Sequence, residues 1–302
     1  MRHLFIVNPT AGKRRYEELL RRLEGVSFPH EVVFTQKAGD ACRIAREAAE
    51  RGEDVRIYAC GGDGTLNGVV NGAAGYENAA VTNVPIGTGN DFLKLFGENY
   101  RALFTDLEAL AVGSVAEFDL IDCNGTLGAD IVCVGVDARI AADVDKYKRI
   151  VSGMGAYILS LIENVLFKGI ARPLKVTLGD GEITRGGRAS LLCICNGRYY
   201  GGGFQPVPEA MPDDGVLDML YVPKVSLFTF ARLVGKYSKG RWREASPPIV
   251  PYRGQTARFS SETETVAVVD GEVLRGKEFT VRLSDKKLRF FYPAGADYRP
   301  RA

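Results

Sequence analysis

Three short glycine-rich segments follow predicted strands in the first third of this 302-residue chain. They read NPTAGK from Asn8, ACGGDGT from Ala59 and PIGTGND from Pro85. Glycine lets a backbone approach a ligand closely, and the free N–H groups at a helix N-terminus attract anions. Because the carboxyl ends of parallel strands meet at one edge of a sheet, these segments predict a shared phosphate site.

Two aspartates, Asp63 and Asp91, lie inside the second and third segments. Mg²⁺ prefers oxygen ligands and keeps part of its water shell, so carboxylates beside a phosphate site could hold it directly or through water. That arrangement suits phosphoryl transfer, in which the metal bridges phosphate oxygens. For each loop taken alone, the alternative is an ordinary turn whose aspartate bonds its own backbone.

The segments do not match the two standard nucleotide motifs. Val7 stands where a P-loop has its first glycine, and Arg14 stands where it has serine or threonine. No GxGxxG segment follows a predicted strand in the first half of the chain. A nucleotide would therefore be held by a different kind of loop.

A pair of carboxylates late in the chain is a candidate general base. Asp270 and Glu272 flank Gly271 in the segment VVDGEVL. Either could accept the proton of an attacking hydroxyl group. The same residues also suit an exposed Asp-Gly hairpin turn, which the local sequence alone favours.

The elements that must position these residues change character near residue 117. Residues 1–117 alternate strand signals such as HLFIVNP and VRIYACGG with helix signals such as RRYEELLRRL and GDACRIAREAAERG, which predicts a parallel sheet flanked by helices. Residues 118–286 read as short strands between Gly, Asp and Pro turns, with helical interruptions near 155–167 and 227–237. They predict a second, β-rich domain.

Composition excludes several kinds of site. A net charge of +2 gives no general attraction for nucleic acid. Two histidines are too few for a histidine-rich metal centre and weaken any Ser-His-Asp scheme. The six cysteines form no CxxC pair, so we expect buried free thiols in a reducing, cytoplasmic compartment. The longest apolar helical segment, residues 150–162, is too short to cross a bilayer.

Taken together, FIVNPTAGK, GGDGTLNGVVNG and VPIGTGNDFLKLF resemble the catalytic domain of bacterial diacylglycerol kinases, a group related to sphingosine and ceramide kinases. The resemblance continues through NGRYYGGGFQPVPEAMPDDGVLDMLYV and VVDGEVLRG, and so covers nearly the whole chain. It implies an NAD kinase-like α/β domain and a β-sandwich-like second domain, with residues 287–302 returning to the first. It also implies transfer of the γ-phosphate of ATP to a lipid hydroxyl, with ATP in the cleft between the domains.

The resemblance further implies which residues hold the nucleotide. Asp63 and Asp91 would organise Mg²⁺ around the phosphates. The residues expected to bind ATP are Asn8, Pro9, Thr10, Ala11, Gly12, Thr35, Gly62, Asp63, Gly64, Thr65, Leu66, Asn67, Gly68, Thr88 and Asp91.

The same resemblance implies roles for two acidic segments of the second domain. In the family the Asp-Gly-Glu motif supplies the base that accepts the proton of the lipid hydroxyl, which leaves Glu272 and Asp270 as equal candidates. A structural Mg²⁺ site maps to PDDGVLD, with Asp213 and Asp218 as side-chain ligands and Val216 as a carbonyl ligand. On turn statistics alone, an Asx-rich hairpin turn is the alternative for this segment.

Two departures from the family pattern limit what is carried over. Gly68 stands where many relatives have glutamate, and we expect this to change one polar contact near the nucleotide. The helix GAYILSLIENVLF, which could line the lipid path, diverges in detail, so the acceptor is not carried over. Diacylglycerol, phosphatidylglycerol and sphingoid bases stay open as acceptors.

A lipid kinase must reach a membrane surface without spanning it, so we expect peripheral membrane contact. Two stretches combine apolar and basic residues, 145–167 and 227–243, and the second contains Trp242. A core-packed helix with a solvated basic end is the alternative for the second stretch. The sequence predicts no nucleic-acid partner and leaves a homodimer open.

Two rival functions use the same features. One is a kinase of a soluble acceptor such as NAD, because GGDGT also occurs in such enzymes. The β-rich half with VVDGE and PDDGVLD argues against it. The other is a non-catalytic lipid- or nucleotide-binding protein, against which the intact carboxylates Asp63, Asp91, Asp270 and Glu272 argue.

Overall fold

The computed structural model describes residues 1–148, 151, 154–179, 181–245 and 248–299. In chain order the strands are β1 Arg2–Val7, β2 Glu31–Phe34, β3 Val55–Gly61, β4 Ala79–Pro85, β5 Ser114–Phe118, β6 Ile121–Cys123, β7 Thr126–Gly128, β8 Ile131–Gly135, β9 Arg172–Pro173, β10 Lys175–Leu178, β11 Ile183–Arg185, β12 Arg188–Cys195, β13 Leu217–Pro223, β14 Val250–Gly254, β15 Thr256–Val269, β16 Glu272–Leu283 and β17 Leu288–Tyr292.

The helices connect these strands and cover their faces. They are α1 Tyr16–Leu23, α2 Asp40–Ala49, α3 Asp63–Ala73, α4 Tyr100–Leu103, α5 Leu107–Ala111, α6 Val136–Lys148, α7 Met154–Ile162 and α8 Leu227–Tyr237. Short 3₁₀ segments occur at Ala11–Arg14, Phe92–Phe96 and Trp242–Ala245, and a π-helical segment, Glu163–Phe167, continues α7.

The first sheet has the strand order β2-β1-β3-β4-β17-β5. Strands β1 to β4 and β17 run parallel, and β5 pairs antiparallel with β17 at the edge. The chain moves outward from β1 to β2 and then crosses back to β3, so the winding direction reverses between β1 and β3. In open α/β sheets, ligands bind beyond the carboxyl ends of the strands at such a reversal.

The central strands of this sheet are buried on both faces, although they include the polar residues Arg56, Thr82 and Asn83. Every residue of β3 and β4 is buried, which is the pattern of a parallel sheet packed on two sides. Helix α1 buries Leu19 and Leu23 on one face and carries glutamates in its first turn and arginines in its last, which suits the helix dipole. Strand β17 contributes the fully buried Phe290 and Phe291.

Helices α2 and α3 approach each other unusually closely through glycine. A Cβ atom at Gly68 would lie 3.0 Å from the Cβ of Ala41, and one at Gly72 would lie 2.3 Å from the carbonyl oxygen of Cys42. The glycine at position 68 therefore accommodates α2. A glutamate at this position would push α2 away. Gly68 therefore mainly affects how closely α2 and α3 pack.

The second part of the chain is a β-sandwich whose strands are hydrogen-bonded into one antiparallel sheet. The hydrogen-bonded path runs β14-β13-β12-β8-β15-β16-β6-β7, with β9, β10 and β11 attached beside it. Strand β15 joins the layers, because its first half pairs with β10 and its last residues pair with β8. Side chains of β12 alternate: Leu192 and Ile194 enter the sandwich core, whereas Leu191 and Cys193 face the layer that includes α6 and α8.

The predicted fold class is confirmed: an α/β domain with a parallel sheet is followed by a β-sandwich. The division at residues 117 and 287 stays a prediction. Residues 300–302, at the end of the segment expected to return to the first domain, lie outside the described residues.

Two local sequence patterns are misleading. Residues 129–140, ADIVCVGVDARI, predict one strand, but Gly135 turns the chain with a φ of +109° and α6 begins at Val136. The Pro-rich segment REASPPIVPYRG predicts a surface loop, yet its end forms β14. The segment DFLKLFG predicts a helix, and Phe92–Phe96 forms a 3₁₀ helix. Within the described ranges, no helix is long and apolar enough to cross a membrane.

Candidate active site

A cleft of about 720 Å³ opens at the carboxyl ends of β1, β3 and β4, where the winding of the first sheet reverses. Its floor is built from the three glycine-rich segments. Its opposite wall comes from the β-sandwich, through Thr126, Glu272 and Leu274. The fold thus brings the glycine loops and one of the two candidate bases to a single cavity.

Most of the residues predicted to bind ATP line this cleft. They are Asn8, Thr10, Ala11, Gly12, Thr35, Gly62, Asp63, Gly64, Thr65, Asn67, Gly68 and Thr88. Pro9 and Asp91 do not line it, and Leu66 packs in the core of the first domain instead. The sequence interpretation missed the wall formed by Lys37, Gly39, Ala41 and Cys42, although a glycine after β2, in TQKAGD, was a signal.

The three loops pack so tightly that several positions admit no side chain. Gly12 has a φ of +65°, and a Cβ atom there would lie 1.7 Å from the carbonyl oxygen of Ile86. Gly87 donates its N–H to the carbonyl oxygen of Gly61 at 2.9 Å, and its Cβ would lie 2.4 Å from the Cα of Gly62. At these positions the backbone itself forms the floor, which suits a phosphate site.

Side chains of the first loop tie it to the start of α3. The Asn8 side-chain amide donates to the hydroxyl of Thr65 at 3.2 Å, while its oxygen accepts the N–H and the hydroxyl of Thr10. Helix α3 begins at Asp63, directly beside the cleft, so the positive end of its dipole faces the cavity. A Cβ at Gly64 would meet nothing within 4 Å, which leaves that end open to a ligand.

Asp63 holds the third loop in place. Its Oδ2 accepts the backbone N–H of Asn90 at 3.0 Å, and its Oδ1 accepts that of Asp91 at 2.6 Å. Burial raises the pKa of Asp63, and the nearby Asp91 carboxylate adds to the effect, whereas these N–H bonds oppose it. The carboxylate therefore links two loops while remaining on the cleft wall.

Asp91 joins the first domain to the second. Its Oδ1 accepts a charged hydrogen bond from Lys94 at 2.5 Å, and its Oδ2 accepts the backbone N–H of Gly202 at 2.8 Å. Gly202 belongs to the glycine triplet 201–203, whose φ angles are all positive. The side chain predicted to organise magnesium thus has two protein partners.

The two candidate bases differ in what their oxygens contact. Asp270 has a φ of +46° and directs its carboxylate back under the turn, where it accepts the N–H groups of Ala129, Asp130 and Ile131 at 2.6 to 3.2 Å. Burial raises the pKa of Asp270 to about 6 despite these bonds. Glu272, two residues later, is exposed and lines the cleft.

A buried carboxyl group at Asp130 was missed by the sequence interpretation. Its Oδ1 has no hydrogen-bond partner among the described residues, and the side chain is 6% exposed. Burial, reinforced by the charge of Asp270, raises the pKa of Asp130 well above its usual range. No local pattern marks this residue, because its neighbours Asn196, Gly197 and Asp270 come from distant parts of the chain.

In the acidic turn at residues 213–218, which was predicted as a structural metal site, the aspartate side chains accept hydrogen bonds from other protein side chains. Asp218 accepts a hydrogen bond from Arg253 at 2.9 Å, and the Asp213 carboxylate accepts one from the hydroxyl of Tyr298 at 2.7 Å. Arg253 also contacts Asp214 at 2.6 Å. In this arrangement the turn does not fit a magnesium ion unless Arg253 moves. Among the described residues, no group of three or more His, Cys, Asp or Glu side chains could hold a metal ion.

Two family models match the chain in succession. The diacylglycerol kinase catalytic domain matches residues 2–123, and the YegS C-terminal NAD kinase beta sandwich-like domain matches residues 130–292. The first match contains the three glycine loops, and the second contains Asp270 and Glu272.

Similar proteins carry related names. The chain is 28% identical to a probable lipid kinase YegS-like protein of Stenotrophomonas maltophilia (strain K279a) over 302 residues, which cover 97% of this chain and 96% of the relative. It is 30% identical over 241 residues to a diacylglycerol kinase of Bacillus subtilis (strain 168), with 78% of each chain covered.

Solved structures from Bacillus anthracis str. Sterne share the fold. One superposes with a TM-score of 0.77 at 24% identity and covers 98% of this chain and 96% of the other. Another, described as a diacylglycerol kinase, has a TM-score of 0.71 at 23% identity, with 98% of each chain covered.

Proposed function

This chain belongs to the diacylglycerol kinase catalytic-domain family, and from that premise we propose that it is an ATP-dependent lipid kinase. It transfers the γ-phosphate of ATP to a lipid hydroxyl in the cleft between the α/β domain and the β-sandwich. The observation that carries this proposal is the meeting of the glycine loops and the exposed Glu272 carboxylate at one cavity.

The floor of the cleft supports ATP as the phosphate donor. Positions 12 and 87 leave no space for a side chain, and the N-terminus of α3 adds N–H groups and a positive partial charge. The cavity of about 720 Å³ lies within the range of about 300–1,000 Å³ that is usual for small-molecule sites. The family is a kinase family, which agrees with a nucleotide donor.

The donor groups in the cleft suit magnesium that arrives with the nucleotide. Mg²⁺ commonly takes one or two carboxylates together with substrate phosphates and water, and needs no cage of protein ligands. The Asp63 carboxylate lines the cleft and retains lone pairs for such a role. Bound magnesium would neutralise part of the phosphate charge.

Glu272 is the better candidate for the base. A base must reach the hydroxyl that attacks the phosphate, and Glu272 is exposed in the cleft. The Asp270 carboxylate instead accepts hydrogen bonds from the backbone N–H groups of residues 129–131. We therefore propose that Asp270 fixes the turn and that Glu272 accepts the proton.

A row of exposed apolar side chains supports contact with a membrane. Along α7 and the π-helical segment after it, the exposed residues are Ile158, Leu161, Ile162, Leu166 and Phe167, and Phe167 is 83% exposed. We name this the α7 face. Such a surface on one side of a helix suits insertion into the interfacial region of a bilayer. Arg149 and Ile150, in the basic stretch predicted beside it, lie outside the described residues.

The second predicted docking region is less suitable. Trp242 is 4% exposed and donates its indole N–H to the carbonyl oxygen of Pro206, and Leu233 and Tyr237 are buried. This agrees with the core-packed alternative for most of α8. Phe228, which is 78% exposed, remains as its largest exposed apolar side chain. We propose that the α7 face makes the principal contact.

A lipid-panel assay tests the proposed function. Purified protein is incubated with γ-labelled ATP and Mg²⁺ against mixed micelles of diacylglycerol, phosphatidylglycerol or sphingoid bases, and against NAD. We expect phosphate on at least one lipid and none on NAD. Label on NAD alone would establish the soluble-acceptor kinase, and equal turnover by the wild type and Asp63→Ala on every lipid would favour a non-catalytic protein.

Cys42 provides an independent test of the nucleotide site. It is half-buried on the cleft wall, whereas the other five cysteines are buried, and all six are free thiols. We expect ATP with Mg²⁺ to slow the reaction of Cys42 with a maleimide reagent, with Cys42→Ser as the unlabelled control. Unchanged labelling at saturating ATP would place the nucleotide elsewhere.

A further inference from the structure

Two asparagine side chains connect the phosphate-site helix to the β-sandwich. Asn71, on α3, donates its side-chain amide to the carbonyl oxygen of Leu127 at 2.8 Å and accepts the Leu127 N–H at 2.9 Å. In an antiparallel sheet, a residue of the neighbouring strand would form this pair of hydrogen bonds with Leu127. Here the Asn71 side chain forms both. Asn67, one turn earlier, donates to the same carbonyl oxygen at 3.0 Å.

Each end of this connection leads to a different part of the cleft. Asn71 lies eight residues after Asp63 on the same helix, about 12 Å along its axis. Leu127 lies on β7, two residues before Ala129, the first N–H that the Asp270 carboxylate holds. Asp270 in turn begins the turn that presents Glu272. A continuous series of hydrogen bonds and short backbone segments therefore runs from the phosphate loop to the proposed base.

We propose that Asn71 is a positioning residue for phosphoryl transfer, one that sets the separation between the phosphate-binding end of α3 and the Glu272 carboxylate by clamping Leu127. The proposal rests on the proposed function. Asn71 acts through Leu127 and Asp270, without contacting the transferred group. Displacing a reacting group by about 1 Å can cost about 100-fold in rate, so a clamp of this kind acts on turnover.

The predicted effect is on kcat and not on ATP affinity. ATP is proposed to bind loops that belong to the first domain. Asn71 also lines the cleft and donates to the Asn67 side-chain oxygen at 3.2 Å, so Asn71→Ala removes this one bond beside the nucleotide and leaves the bonds among the three loops in place. Glu272 reaches the cleft from the other domain, so loss of the clamp misplaces the base. We expect Asn71→Ala to lower kcat about tenfold or more while KM for ATP stays within about twofold.

Asn78→Ala is the matched control. Asn78 also donates its side-chain amide to two carbonyl oxygens, those of Ala49 and Glu53, but both lie in the first domain and away from the cleft. We expect it to lower thermal stability as much as Asn71→Ala while leaving kcat unchanged. Equal loss of kcat in both variants would show a general structural effect and overturn the proposal.

A conservative variant and a second readout complete the test. Asn71→Asp keeps the acceptor for the Leu127 N–H and loses the donor to its carbonyl oxygen, so it should recover part of the kcat that Asn71→Ala loses. Hydrogen exchange of the Leu127 amide should accelerate in Asn71→Ala and not in Asn78→Ala. Normal kcat in Asn71→Ala would overturn the proposal.

The two proposals fail in distinguishable ways. If the wild type phosphorylates no lipid, the proposed function fails, and the hydrogen-exchange result alone decides whether the clamp exists. Unchanged protection of Leu127 in Asn71→Ala would then reject it. If Asn71→Ala does not fold, the kcat and exchange of Asn71→Asp decide in the same way.

Discussion

The Asp63 carboxylate accepts the backbone N–H of Asp91 at 2.6 Å, so a side chain at the start of α3 holds the loop that follows β4. The loop is held a second time through Asn90, whose N–H bonds the other oxygen at 3.0 Å. Asp63 is therefore a structural link between two phosphate loops as well as a candidate magnesium contact.

Replacing Asp63 with alanine should weaken both the loop and the nucleotide site. Two N–H groups lose their acceptor, and each buried, unpaired group costs about 1–3 kcal/mol. We expect urea denaturation to show lower stability and the maleimide assay at Cys42 to show weaker protection by ATP. Asp285→Ala, at an exposed position, is the control. Unchanged stability in Asp63→Ala would contradict the link between the loops.

Glu272→Gln should lose catalytic rate, whereas Asp270→Asn should lose thermal stability. Loss of the base should lower kcat of Glu272→Gln by about 100-fold or more, with ATP affinity little changed. Asp270→Asn loses acceptor capacity beneath three N–H groups, so it should melt at a lower temperature than Glu272→Gln. Kinetics and thermal melting on the same preparations separate the two. Normal kcat in Glu272→Gln would return the role of base to Asp270.

The α7 face should bind lipid vesicles through Phe167. Burying a phenylalanine side chain gains about 2 kcal/mol, or roughly 30-fold in affinity, and Phe167 is 83% exposed, so its loss should leave the core intact. We expect Phe167→Ser to reduce co-sedimentation with vesicles of phosphatidylglycerol and phosphatidylcholine. Phe228→Ser, on α8, is the matched variant with a similarly exposed ring. Loss of binding in Phe228→Ser alone would move the contact to α8.

The parts of the site that depend on local chemistry could be predicted from the sequence. Glycines at positions 12 and 87 are needed because neighbouring backbone leaves no room for a side chain, and such loops follow strands in a recognisable pattern. The acidic residues inside them were identified in the same way. Their partners were not, because the bond between Asp91 and Gly202 joins residues from two domains.

The parts that depend on distant neighbours could not be predicted. Trp242 lies among aromatic and basic residues, which is typical of a residue at a membrane interface. Its ring is nevertheless buried in a hydrophobic cluster, and its indole N–H donates to the carbonyl oxygen of Pro206. Asp130 has no local signature, because its environment comes from residues 196–197 and 270. Gly68 was interpreted through the nucleotide, whereas its closest neighbour is Ala41 on α2.

In the acidic turn at residues 213–218, we expect Arg253 to stabilise the carboxylates in place of the predicted structural Mg²⁺. Because Arg253 contacts Asp214 and Asp218, we expect EDTA to leave the melting temperature of the wild type unchanged. Arg253→Gln should melt at a lower temperature and regain stability with millimolar Mg²⁺, since it leaves two carboxylates unpaired. A fall in the wild-type melting temperature with EDTA, restored by Mg²⁺, would instead support the predicted site at Asp213, Val216 and Asp218.

Asp130 should make stability depend on pH in a direction opposite to that of a salt-bridged aspartate. Because its folded-state pKa is raised, the folded protein binds the proton more tightly than the unfolded chain, whose pKa lies near 3.9. The contribution of Asp130 to stability is therefore fully present below that value and is lost as the pH rises through the folded-state pKa.

Asp130→Asn removes the charge and keeps an acceptor for the Tyr199 N–H. We expect this variant to melt about 2 °C or more above the wild type at pH 8, which corresponds to roughly 1 kcal/mol in a chain of this size. The difference should shrink as the pH falls toward 4, because Asp130 then becomes protonated in the unfolded wild-type chain as well. Asp285→Asn, at an exposed position, should show no such trend. A lower melting temperature for Asp130→Asn at pH 8 would mean that Asp130 is charged and paired, because the loss of a compensated carboxylate then destabilises the fold.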